Sequence, residues 1–127
     1  MTTTTTDKDT TMIITMTERR PIKIKESSWP CIARADWHDG QYDFQARTLR
    51  RIVVLEHADG RRIVYGLQEA GNGGQYLGTR NPAGGFLISA GDEDGTIRAI
   101  RRVGGVIDDG MLADECIADL PAEMLGT

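Results

Sequence analysis

Leu49-Arg50-Arg51-Ile52-Val53-Val54-Leu55-Glu56-His57-Ala58, then Asp59-Gly60, then Arg61-Arg62-Ile63-Val64-Tyr65-Gly66, is the stretch that decides the fold. Two β-branched runs flank a dipeptide that favours the positive φ angles of a type I′ turn, which reads as a β-hairpin over residues 49–66. Taking Asp59-Gly60 as a two-residue loop pairs Ala58 with Arg61, Glu56 with Ile63 and Val54 with Tyr65. One face then carries Ile52, Val54, Ile63 and Tyr65, and the other Val53, Leu55 and Val64. Both faces are apolar away from the turn, so the hairpin belongs in the middle of a sheet with a layer over each side.

Upstream, Pro21-Ile22-Lys23-Ile24-Lys25-Glu26 alternates apolar and charged side chains and predicts a short half-buried strand. Ser27-Ser28 before Trp29-Pro30 supplies a capping hydroxyl and a first-turn proline, the signals of a helix start. Trp29, Ile32, Ala33 and Trp37 recur near helical spacing, which puts both indoles on one face. That face serves either as core packing or as an aromatic platform for a base or sugar. Residues 1–17 hold nine threonines and have no apolar face, so they read as a disordered leader without secretory or transit features. Met12 and Met16 are later start sites, making residues 1–15 dispensable; alternatively Met12-Ile13-Ile14 adds an edge strand or docks a partner.

Downstream, Gly71-Asn72-Gly73-Gly74 is a turn without phosphate-loop spacing, leading into strand Gln75–Thr79. Arg80-Asn81-Pro82-Ala83-Gly84-Gly85 predicts a second turn and Phe86–Ser89 the last strand. Acids at Asp92–Asp94, arginines at 98, 101 and 102, and Gly104-Gly105 frame a helix packed through Ile97, Ile100 and Val103. A last helix runs from about Asp109 to Asp119 and buries Leu112, Cys116 and Leu120. The fold class is therefore α+β, a mostly antiparallel sheet of four to five strands covered by helices. Its order is β-α-β-β-β-β-α-α in a single domain, residues 18–127, which 127 residues suffice to pack.

The net charge of -4 argues against direct binding of nucleic acid, and no apolar run is long enough to cross a membrane. That mild figure hides a dipole. Residues 107–127 carry Asp108, Asp109, Asp114, Glu115, Asp119 and Glu123 with no Lys or Arg, whereas residues 44–66 hold five arginines against two acids. The acids are either a solvated face or the contact for a protein partner with a basic or nucleic-acid-binding surface. The arginines either pair across strands or, as Arg50, Arg61 and Tyr65, hold an anionic ligand such as a nucleotide or phosphate. An enzyme centred on Asp36, His38 and Asp39, or a divalent metal held by Asp36, His38, Asp39 and Asp43, is a further alternative. No triad, paired carboxylates, metal motif or cofactor motif has diagnostic spacing, so no catalytic residue, metal or cofactor is assigned. Cys31 and Cys116, with no signal peptide, read as free thiols packed as small apolar groups in a cytoplasmic protein.

Ile24-Lys25-Glu26-Ser27-Ser28-Trp29-Pro30, His57–Gly66, Ile100-Arg101-Arg102-Val103 and Glu115–Glu123 together resemble a group of small bacterial proteins of phages, plasmids and genomic islands. The group has no established activity to transfer. The resemblance implies a mobile-element setting, in which small acidic proteins inhibit host defence complexes in the manner of anti-CRISPR proteins. The expectation is a small non-enzymatic interaction protein that acts through its acidic C-terminal face.

Overall fold

A computed structural model describes residues 10–38, 48–72 and 75–122. The chain runs through β1 (Thr11–Ile14), β2 (Ile22–Lys25), a 3₁₀ turn at Glu26–Ser28, β3 (Cys31–His38), β4 (Thr48–Glu56), β5 (Arg62–Asn72) and β6 (Gln75–Ile88). It ends in helices α1 (Glu93–Val106) and α2 (Gly110–Asp119). The fold is α+β: β3-β4-β5-β6 form an antiparallel sheet in sequence order, and β1-β2 form a separate two-stranded ribbon.

The hairpin strands β4 and β5 are the central pair, and both faces are covered. On one face Ile52, Val54 and Val64 pack beneath Ile100, Val103, Leu112 and Cys116 of the helices. On the other, Val53, Leu55 and Ile63 pack beneath Ile14 and Ile24 of the ribbon, with Met16 and Trp29. The register differs from the sequence expectation by one residue. Leu55 faces Ile63, Val54 faces Val64 and Val53 faces Tyr65. The cause is the turn: His57 N donates to Arg61 O at 2.9 Å and Gly60 N to His57 O at 2.8 Å. The loop therefore has three residues, with Gly60 alone at positive φ (95°). Asp59 holds this longer loop, its N donating to His57 Nδ1 and its Oδ1 accepting from Arg61 N. A one-residue slip moves Ile63 and Tyr65 to the ribbon side and Val64 to the helix side.

Five other expectations are corrected. Residues 27–38 form no helix beyond the 3₁₀ turn, and Cys31–His38 is edge strand β3. Its sequence alternates, with Ala33 and Ala35 in the helix-side core and Arg34 and Asp36 exposed between them. That period of two, together with β4's free ladder, outweighs the capping signals. Trp29 and Trp37 do not share a face: Trp29 lies in the ribbon-side cluster, while Trp37 is half exposed on the helix side against Arg50.

Residues 80–85 are a β-bulge instead of a turn. Tyr65 faces Gly85 but Leu67 faces Pro82, so β6 carries one extra residue around Ala83 and Gly84, the latter at φ 100°. Pro82 is tolerated because β6 is an edge. Of the leader expected over residues 1–17, residues 1–9 lie outside the described residues, and residues 11–17 are ordered against the rest of the fold. Thr11–Ile14 pair with Ile22–Lys25, and Thr17 N donates to Gly85 O at 2.8 Å. Met12, Ile14 and Met16 supply the apolar face that the threonine run lacks.

Finally, Gly104 does not stop α1. The helix continues to Val106, and a Cβ on Gly104 would stand 2.7 Å from that of Ala113, so its bare backbone lets α2 pack closely. An aspartate caps each helix: Asp92 accepts from Gly95 N and Asp109 from Leu112 N.

Candidate functional site

Two surfaces carry chemistry, one on each side of the sheet. The first is the outward side of α2 and the turn before it. Of the six acids expected there, three have partners within the fold. Asp109 caps α2 and lies 3.5 Å from Arg50 Nη1. Asp119 Oδ2 accepts the Arg34 backbone N–H at 2.9 Å, satisfying a donor on the open edge of β3. Asp114 pairs with Arg101 at 3.0 Å, both side chains being largely in water, where such a pair contributes little. Asp108, at φ 56° between the helices, and Glu115 are exposed. Glu123 lies outside the described residues. Among these carboxylates stand two apolar side chains with no cover, Met111 at 75% and Val106 at 67% exposure. The acid-rich sequence signalled this face, but nothing in the helix pattern marked Val106 and Met111 as its apolar members.

The second surface is a groove of about 300 Å³ between the ribbon and the sheet. Trp29, Cys31, Arg34, Arg51, Tyr65 and Glu26 line it over an apolar floor that includes Val53 and Leu55. Arg34 donates from Nε and Nη2 to Asp36 Oδ2 at 3.0 and 2.8 Å, and Arg51 Nε donates to Asp36 Oδ1 at 2.7 Å. One carboxylate thus fixes two guanidiniums side by side. Burial pushes the Asp36 carboxyl up, and the hydrogen bonds from Arg34 and Arg51 outweigh it, holding the group below the ordinary carboxylate value. Burial pushes the Tyr65 phenol up, so it remains a protonated donor.

Cys31 reaches the groove through a bulge. Cys31 faces Leu55 and Ala33 faces Val54, so Ile32 is the extra residue. Ile32 turns into the helix-side core while Cys31 turns to the groove, on the side of Arg34 and Asp36. The helix expected over residues 27–38 hid this arrangement; the alternation of Ala33-Arg34-Ala35-Asp36 is the signal that reveals it.

Arg50, Arg61 and Tyr65 are not brought together. Arg50 lies on the helix side, its guanidinium carbon 5.0 Å from the Trp37 ring centre. Arg61 sits at the hairpin tip, bound to Asp59 at 2.8 Å and 5.4 Å from the Trp29 ring centre. Tyr65 faces the ribbon, where Arg51 and Arg34 are its cationic neighbours. Of the enzyme candidates, Asp36 is the carboxylate between the arginines. His38 ends β3, and Asp39 and Asp43 lie outside the described residues. Among the described residues no three His, Cys, Asp or Glu side chains gather as a metal site.

The two thiols are free and differ sharply. Cys116 is fully buried against Ile52 O, and burial pushes its thiol up to about 12. Cys31 is exposed, which corrects its expected burial. Iodoacetamide at pH 8 is therefore expected to label Cys31 in the folded protein and leave Cys116 unmodified, with both labelled in denaturant. A rise from 9.0 to about 12 lowers the thiolate fraction about a thousandfold even before access is considered. Equal native labelling, read by peptide mass spectrometry, would contradict the placement of α2 on the sheet.

Compared with protein-family models, curated proteins and solved structures, the chain matches none. Among the described residues no helix is long and apolar enough to cross a membrane.

Proposed function

We propose that this is a small interaction protein without enzymatic activity, whose α2 face docks on a basic surface of a partner protein. The observation that carries the reading is the combination on that face: Val106 and Met111 stand uncovered among Asp108, Asp114 and Glu115, and no Lys or Arg follows Arg102 in the chain. Apolar anchors on a predominantly acidic surface are how specific interfaces combine affinity with electrostatic steering. A basic partner surface is typically one that otherwise holds nucleic acid, which suits an inhibitor of a cytoplasmic host defence complex encoded by a mobile element. That role is the biological setting the sequence resemblance supplies.

The test is co-purification from a host lysate, using wild type and the double variant Asp114→Lys, Glu115→Lys. Asp119 is left intact because it caps the β3 edge, so changing it would confuse binding with folding. The double variant is expected to fold normally and lose the partner. Undiminished capture at the same salt concentration would exclude the acidic face.

A further inference from the structure

We propose that the groove between the β1-β2 ribbon and the sheet binds a small aromatic molecule carrying one carboxylate or phosphate group, which the paired guanidiniums of Arg34 and Arg51 take. Three independent features converge there. First, the groove is about 300 Å³, the low end of small-molecule pockets, which suits one ring and a short substituent. Second, its polar groups are preorganised. Asp36 spends two donors of Arg34 and one of Arg51, which fixes both planar groups at one end without using all five N–H groups of either. Third, the β3 bulge departs from regular pairing to turn Cys31, not Ile32, toward the cavity, and bulges recur where a strand must re-aim a side chain at a site.

The lining selects the ligand. Trp29, Val53 and Leu55 offer an apolar bed for a ring, and the protonated Tyr65 hydroxyl adds a donor beside the arginines. The exposed Glu26 on the same lining, with Asp36 already balancing one guanidinium, disfavours an anion as highly charged as a nucleoside triphosphate. An aryl ring carrying one small anionic group fits both ends. This corrects the ligand reading built on Arg50, Arg61 and Tyr65: only Tyr65 belongs to the groove, and the arginines are Arg34 and Arg51.

The experiment titrates the full chain with benzoate, phenyl phosphate, benzamide and ATP, following amide shifts by NMR and Cys31 alkylation by mass spectrometry. Benzoate or phenyl phosphate is expected to shift the amides of Cys31, Arg34 and Tyr65 saturably and to slow alkylation of Cys31. Benzamide, equal in shape but uncharged, is expected to bind about tenfold more weakly or worse, because it forfeits charge-assisted hydrogen bonds. Arg51→Gln is expected to remove the difference between benzoate and benzamide. Tyr65→Phe, which keeps the ring, is expected to weaken benzoate and leave the fold intact. Absence of saturable shifts with both anions would overturn the proposal. So would equal binding of benzoate and benzamide to wild type, or ATP binding more tightly than benzoate.

Discussion

A chain that starts at Met16, lacking residues 1–15, is expected to lose most of its stability. It loses β1 and with it the pairing of Met12 with Ile24 and Ile14 with Ile22. It also removes Ile14, which is 3% exposed, and uncovers Ile24, Val53, Leu55 and Ile63 on the ribbon side of the sheet. Exposing one such side chain costs about 1.5–3 kcal/mol. Partial exposure of four, plus complete loss of Ile14, comes to about 5 kcal/mol. A domain of this size has about 5–15 kcal/mol in all. Urea unfolding of the truncated and full chains checks this. The truncated form is expected to unfold at much lower urea and to bind a hydrophobic dye. Matching midpoints would mean that the ribbon does not cover the sheet.

Gly66→Val is expected to destabilise by about 3 kcal/mol, the upper end of overpacking costs. Gly66 faces Ile52 on the helix side of β5, directly beneath α1. A Cβ there would overlap Val103 Cγ1 and stand 3.1 Å from the Arg51 carbonyl oxygen and 3.5 Å from Ala83 Cβ. Val103 is fully buried and β-branched, so it has no rotamer into which to withdraw. Either α1 lifts or the strand bends. Thermal melts of Gly66→Ala, Val103→Ala and the pair separate this clash from a loss of strand propensity. Clash predicts that the pair is more stable than the sum of the singles implies, by about 1 kcal/mol or more. Strict additivity would show that α1 does not rest on Gly66.

Much of this architecture is legible because burial writes a period into the chain. Ile52–Leu55 and Ile63–Tyr65 are apolar on both faces, and that alone places β4 and β5 centrally. The caps at Asp92 and Asp109 are equally local and equally readable. What fails is whatever depends on a particular contact, near or distant, that the pattern of residues does not show. The His57–Arg61 bond adds one residue to the loop and reverses the faces of β5. Thr11–Ile14 becomes a strand only because Ile22 and Ile24 are there to pair with it. The groove was hidden for the same reason: Asp36 meets Arg51 only once Cys31–His38 is a strand beside β4.

The acids show the limit of charge counting. Six carboxylates look alike in sequence, yet Asp109 caps a helix and Asp119 closes a sheet edge. Asp108, Asp114 and Glu115 remain at the surface beside Val106 and Met111. Fold needs the first pair; a partner can use the others.

Amide hydrogen exchange on the complex with the captured partner tests the central claim most directly. The α2 face as interface predicts slowed exchange over residues 106–118, with residues 22–34 and 51–65 as in the free protein. Protection confined to the groove residues, with the helices unchanged, would contradict it.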